Sequence, residues 1–353
     1  MMAKSRKADE VPENLWALIL AGEDGTGLLA RTPASPGDDR RRIEAPVDGS
    51  LLRQALDRAG LAVPAERTVL VANRRHDVHL APGIPASTRH TPRLLLRPQG
   101  RGTATDVLLA VHWIRRQQAD AALVILPSDQ VIVDPRAFMR HVVAVSRFVE
   151  RHIRQIVIIG ARPSDTDSDC GWIETAQPIP DLGRTPIWRV RSLQASPTDA
   201  VARAGNGQGW LRNTSVFVAR AEALLQAARR RSPELDVRLE TATALIGTRY
   251  EYRTLEECYA VARNASFAEA VLAGANRLLS ASSLSPSAGT GRMRFGRTGW
   301  PPAPRGRFDG LVDQHFLRAN VEACLTRTVS PGSPWKAKPR AEIARKAPHG
   351  LEI

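Results

Sequence analysis

Short apolar runs recur through the first half of the chain, at residues 15–21 (LWALILA), 68–72, 93–96, 121–126 and 155–160. Unbroken apolar stretches of this length suit strands covered on both faces. Between them, residues 50–59, 103–117 and 135–149 place apolar side chains at helical spacing. This alternation predicts an α/β fold: a doubly wound, mostly parallel sheet with crossover helices and ligands at the carboxyl ends of its strands.

After Gly160 the pieces shorten and are bounded by proline and glycine, at 171–177, 186–193 and 211–219, followed by a helical stretch at 219–230. We read them as an antiparallel extension of the same domain. Residues 234–272 again look helical, with Leu255, Cys258, Tyr259 and Ala262 at helical spacing. Beyond Leu279 the periodicity fails, and SASSLSPSAGTGRMRFGRTGWPPAPRGR has the Ser, Gly, Pro and Arg content of a linker or disordered segment. Residues 316–325 could add one short helix. The expected organisation is a disordered N-terminus at 1–13, one domain at 14–283 and a basic, largely disordered tail at 284–353.

With 43% hydrophobic and 24% charged residues in 353, the chain can bury a large core, and disordered or collagen-like classes are excluded. It contains no uncharged apolar run of about 18 residues and no apolar leader, so no membrane partner and a cytoplasmic location are expected. Cys170, Cys258 and Cys324 are far apart and form no CxxC pair, which argues against zinc knuckles and disulfide frameworks. The net charge of +14 raises the prospect of nucleic acid, but residues 284–353 carry +7 of it without a DNA-binding motif, so that reading ranks last. Lysine occurs only at positions 4, 7, 336, 338 and 346, leaving arginine as the cation of the domain.

Three constellations carry chemistry. Gly22, Gly25 and Gly27 follow the first strand and offer unhindered backbone amides to a phosphate; a tight turn without ligand explains them equally well. The spacing is neither GxGxxG nor a Walker loop, which disfavours a dinucleotide-dependent oxidoreductase. Gly100, Arg101, Gly102 and Thr103 close the third apolar run and open a long helix, a site for an anion or the polar edge of a base, or simply a threonine cap. Asp129, in Leu126-Pro127-Ser128-Asp129, follows a buried strand and could hold Mg²⁺ against phosphates or close a turn. No histidine pair or nucleophile elbow supports a metallohydrolase or hydrolase mechanism.

Taken in order, LAGEDGTGLLARTPAS, SLLRQALDR, RPQGRGTATDVLLAV, LPSDQ, GWIE and LRNTSVF resemble the mannose-1-phosphate guanylyltransferases, whose pattern runs LAGGxGTRLxPxS, PKQ, SLLQxTLxR, QPxxRGTAxAI, LPSDH, GYIE, EKP, WNSxxF and a late aspartate after WSD. The resemblance covers about residues 15–272. It implies a Rossmann-like nucleotidyltransferase fold and transfer of a nucleotidyl group from GTP to mannose 1-phosphate or a related sugar 1-phosphate, with Mg²⁺ as cofactor. It further implies that Gly22, Gly25 and Thr26 cradle phosphates, Gly100 to Thr103 meet the nucleoside, Asp129 binds metal, and Gly171, Glu174 and Asn213 face the sugar. Trp172 would supply an aromatic wall, and Arg212 could reach a phosphate.

The departures fall on charges. The arginine of GTR is Gly27 here, the lysine of PKQ has no lysine counterpart, and Ala195 and Ser196 stand where EKP has Glu and Lys. Arg40, Arg41 and Arg42 are the nearest cations and the candidate catalytic groups, with Arg31 a further one. A late aspartate after WSD has no match. These losses raise the alternative of a catalytically degenerate sugar-nucleotide-binding or regulatory protein on the same fold. The composition of residues 289–307 also reads as GC-rich coding sequence translated in another frame, or as a lineage-specific tail.

Overall fold

The computed structural model describes residues 11–21, 51–74, 92–128, 130, 132, 134–162, 171–180, 185–194, 205, 209–273 and 278–284. They form a nine-stranded sheet from β1 (Leu15–Leu20), β2 (Thr68–Asn73), β3 (Arg93–Arg97), β4 (Ala122–Pro127), β5 (Ile156–Ala161), β6 (Trp172–Pro178), β7 (Ile187–Gln194), β8 (Leu211–Arg220) and β9 (Leu279–Ser283), in the order β3-β2-β1-β4-β8-β5-β9-β7-β6. The described helices are α1 (Leu51–Ala59), α2 (Gly102–Gln117), α3 (Pro135–Arg151), α4 (Ala221–Arg231), α5 (Pro233–Ala244) and α6 (Glu251–Val261), with a single π-helical turn at Ala268–Leu272.

Strands β3, β2, β1 and β4 are parallel neighbours, as the alternating pattern predicts. Their residues divide between two cores. Leu15, Ala17 and Ile19 of β1 pack with α1 and α3, while Trp16 and Leu18 pack with α2, α4, α5 and α6 on the other face. Burial on both faces is why these strands read as continuous apolar runs. Asp134 starts α3 by accepting the Ala137 N–H at 2.9 Å, with Pro135 in the first turn.

The expected doubly wound, mostly parallel sheet is corrected to a mixed one. β8 does not lie in the peripheral extension but runs antiparallel through the centre, between β4 and β5. Its Val216 and Val218 face one core and Phe217 and Ala219 the other, so its sequence looks like any central strand and carries no sign of direction. Only β6 and β7 form the extension, and β6 pairs back onto β8, so that β8, β5, β9, β7 and β6 close on themselves.

Two further expectations change. Residues 234–272 are not one helix but α5, α6 and the π-helical turn, interrupted at Ile246-Gly247-Thr248, where the Glu251 carboxylate accepts the Gly247 N–H at 2.7 Å. The start of the serine-rich stretch is a buried strand: β9 pairs in parallel with β5, Ser280 Oγ donates to Gln155 Oε1 at 3.1 Å, and Ser282 Oγ meets His141 Nε2 at 2.9 Å. Serines with internal partners are stable inside, although in sequence they look like linker.

Candidate functional site

Strand order lines the motifs up along one edge of the sheet. β3 ends at Arg97 and delivers Gly100 to Thr103; β1 ends at Leu20 and delivers the chain to Gly22; β4 ends at Pro127 and delivers it to Asp129. The antiparallel β8 begins at this same edge, with Arg212 opposite Ala161 and Asn213 opposite Gly160 at the end of β5. From β3 to β4 is three strand spacings, about 14 Å. The carboxyl ends of β3, β1 and β4 and the start of β8 thus lie in this order along the edge.

At the β3 end, the GRGT segment is tied to the chain that follows α6. Arg101 Nε donates to the Tyr259 carbonyl at 3.0 Å, Thr103 Oγ1 accepts the Phe267 N–H at 2.9 Å, and the Ala104 N–H donates to the Ala265 carbonyl at 3.2 Å. Thr103 is therefore not a helix cap; Arg101 holds the cap position, and its side chain makes no capping bond to the helix. Gly102 has φ +73°, and a Cβ there would sit 2.1 Å from the Ala265 carbonyl oxygen, so only glycine admits this approach. Below the segment, the wholly buried Arg97 guanidinium pairs with Asp106 of α2, whose other oxygen accepts the Tyr259 hydroxyl at 3.0 Å. Burial, then the Asp106 charge, raises the Tyr259 pKa. A cleft of about 560 Å³ opens nearby, lined by Arg74, Gln99, Tyr252 and Glu256 among others, with the Arg74 guanidinium 4.4 Å from the Tyr252 ring centre.

At the β4 end, Pro127, Ser128 and Gln130 are held from three sides. Ser128 N–H donates to the Leu20 carbonyl at 3.2 Å, tying it to the end of β1. Arg58 of α1, 3% exposed, donates to the carbonyls of Gln130 at 3.3 Å and Pro127 at 3.4 Å. Gln130 Nε2 donates to the Thr214 carbonyl of β8 at 2.5 Å. There β8 bulges: Ser215 has φ 57°, its N–H donates to Asn213 Oδ1 at 2.8 Å, and Thr214 Oγ1 donates to the Ile159 carbonyl at 2.5 Å. Gly160 lets β8 pass closely, since a Cβ on it would lie 2.6 Å from that of Leu211.

Of the residues expected to face the sugar, Gly171 and Asn213 are brought together: Asn213 N–H donates to the Gly171 carbonyl at 2.8 Å. Glu174 on β6 accepts from Ser192 Oγ at 2.7 Å and Arg191 at 3.3 Å, so its carboxylate is held by β7. Trp172 is wholly buried rather than a wall of the site, and Arg212, 8% exposed, is a buried side chain of β8. Gly22, Gly25, Thr26, Gly27, Arg31, Arg40, Arg41, Arg42, Asp129, Ala195 and Ser196 lie outside the described residues. The sequence reading missed Arg58 and Gln130, although Arg58 ends the motif SLLRQALDR and Gln130 follows Asp129 directly.

No family model matches the chain. It is 28% identical over 196 residues to the alginate biosynthesis protein AlgA of Pseudomonas aeruginosa, a match spanning 53% of this chain and 38% of that protein. It is 24% identical over 263 residues to a mannose-1-phosphate guanylyltransferase of Salmonella muenchen, spanning 73% of this chain and 54% of that one. The crystal structure of a mannose-1-phosphate geranyltransferase from Thermus thermophilus superposes with a TM-score of 0.60 at 26% identity, over 77% of this chain and 74% of that one. The chain is a divergent relative of the mannose-1-phosphate guanylyltransferases. The chain spans about half or less of the length of the curated proteins it matches.

Proposed function

We propose that the chain catalyses nucleotidyl transfer from GTP to mannose 1-phosphate or a closely related sugar 1-phosphate, giving the GDP-sugar and pyrophosphate. The observation that carries this reading is the strand order along the sheet edge: in sequence, GRGT follows β3, the glycines follow β1 and Asp129 follows β4, and β8 bulges at Asn213 to Ser215, an order that suits base, phosphates, metal and sugar. The relatives named for mannose-1-phosphate guanylyltransfer support it.

In this reaction an oxygen of the sugar phosphate attacks the α-phosphorus of GTP, the bond from that phosphorus to the bridging oxygen breaks, and pyrophosphate leaves with the electron pair. The nucleophile arrives already anionic, so the protein needs no activated side chain, only alignment and charge neutralisation. Among the described residues no three His, Cys, Asp or Glu cluster as a protein-only metal cage. A Mg²⁺ carried in on the triphosphate needs only one or two carboxylates, and Asp129 suits that role. When bound, Mg²⁺ supplies neutralisation of phosphate charge. Arg97 and Arg101 face Asp106 and the Tyr259 carbonyl, which leaves Arg40, Arg41 and Arg42 as candidates for the remaining charge.

The missing cations at Gly27 and Ser196 and the missing carboxylate at Ala195 favour a second reading, a protein that binds a sugar nucleotide without turnover. Pyrophosphate release from GTP with mannose 1-phosphate and Mg²⁺ separates the two. Wild type should release pyrophosphate only with both substrates, and Asp129→Ala should slow it by about 10²–10³-fold, the usual effect of one lost electrostatic contact. No release above the Asp129→Ala background, from folded protein at saturating substrates, would replace transfer by binding alone.

A further inference from the structure

The side-chain amide of Gln130 is hydrogen-bonded through its nitrogen and buried without a hydrogen-bond donor at its oxygen among the described residues. Its amide nitrogen donates to the Thr214 carbonyl, which also fixes the orientation of the amide: turned over, Oε1 would face a carbonyl oxygen. Arg58 holds the Gln130 main-chain carbonyl from the opposite side. Gln130 is 9% exposed, and its Oε1 is buried with no donor among the described residues within hydrogen-bonding reach. Ser128, on the other side of residue 129 and 1% exposed, likewise has a hydroxyl without a partner among the described residues. A buried amide oxygen without a donor is costly, and so strongly braced a side chain cannot relieve that by rotating away.

We propose that Gln130 is a specificity-determining residue whose Oε1 accepts a hydrogen bond from a hydroxyl of the sugar substrate. This rests on the transfer reading above and goes beyond it by naming the contact. An amide oxygen accepts hydrogen bonds, so its hydrogen-bond partner is a hydroxyl or an N–H and not an unprotonated phosphate oxygen; as a neutral oxygen it is a weaker ligand for a hard divalent cation than a carboxylate such as that of Asp129. Position decides between these. Gln130 is anchored on Thr214, the neighbour of Asn213 in β8, whereas the segment expected to meet the base follows β3, four strands along the edge and about 19 Å away. The donor at Gln130 is therefore on the sugar side. Gln130 also stands where the LPSDH pattern has histidine, a residue that can accept through a ring nitrogen but with different reach and angle.

The test is a panel of mannose 1-phosphate and its 2-, 3-, 4- and 6-deoxy analogues, assayed by pyrophosphate release with wild type, Gln130→Met and Gln130→His. In wild type one analogue should lose about 10- to 100-fold in kcat/KM, the usual effect of one missing hydrogen bond to a buried acceptor. In Gln130→Met that analogue and the parent should react at equal rates, the other analogues keeping their wild-type ratios, and Gln130→His should restore part of the preference. Equal rates for all analogues in wild type overturn the proposal whatever the variants do, and point to a structural water at Oε1. Should Gln130→Met fail to fold, the wild-type panel and Gln130→His still decide. A wild type without turnover sinks the transfer reading instead, and calorimetric titration with GDP-mannose and its deoxy counterparts then reads the same contact. Failure of every nucleotide sugar to bind overturns both.

Discussion

Replacing Asp106 by asparagine leaves the Arg97 guanidinium inside the protein without its carboxylate. Arg97 is 0% exposed and Asp106 3%, so bulk water cannot substitute for the lost charge. Removing one partner of a buried ion pair costs about 3–5 kcal/mol. Asparagine keeps one oxygen to accept the Tyr259 hydroxyl, which places the loss near the lower end, at about 3 kcal/mol. Against a total stability of about 5–15 kcal/mol, this is a large fraction. At about 2–4 °C per kcal/mol for a domain of this size, Tm should fall by roughly 6–12 °C. Urea unfolding followed by circular dichroism should show a lower midpoint with an unchanged slope. The double variant Arg97→Met/Asp106→Leu, which removes both charges, should be more stable than the two single losses added together, with a coupling of at least about 2 kcal/mol. A loss below about 1 kcal/mol in Asp106→Asn, or strict additivity in the cycle, would refute the claim that this pair joins β3, α2 and α6.

Three other outcomes follow from the described packing. Burial pushes the His141 pKa from 6.5 down to about 4, so the unfolded chain binds its proton first; stability should be full above about pH 6.5, fall as pH drops and level off below about pH 4. The ceiling of that loss is about 3 kcal/mol, and His141→Gln should flatten the urea-midpoint profile; His112, lowered by burial against the opposing pull of Asp236, adds in the same direction. Gly102→Ala should cost at least about 2 kcal/mol in urea titration, from the left-handed backbone and the clash with Ala265, and a neutral substitution would contradict the close approach. Burial raises the Cys258 thiol to about 11, so in a Cys170→Ser/Cys324→Ser background a disulfide reagent at about pH 8 should modify Cys258 only as fast as the protein opens; immediate reaction of the native protein would show the thiol to be accessible.

Local physics made much of this molecule legible in advance. Strands β1 to β5 and helices α1 to α3 fall within a residue or two of the positions that periodicity predicts, because each needs only an apolar run of the right length or spacing. The hairpin pieces β6 and β7 were equally visible, bounded by glycine and proline. The ordered motifs also pointed to the right relatives, since GRGT, LPSD and the asparagine of β8 survive although several charges do not.

Tertiary structure alone decided direction, neighbours and partners. An apolar run buried on both faces reads the same whichever way the strand runs, so the central antiparallel place of β8 could not be seen in its sequence. β9 was hidden because its serines are polar until Gln155 and His141 supply partners from other elements. The same holds at the site: the internal partners of Thr103 and Arg101 come from the segment Tyr259 to Phe267, 164 and 158 residues away in sequence. Gln130 looked like loop until β8 fixed its nitrogen, with its oxygen buried and without a donor among the described residues. Periodicity is a property of neighbouring residues, whereas hydrogen-bond partners are brought together by strand order, and it is strand order that set the motifs in a line.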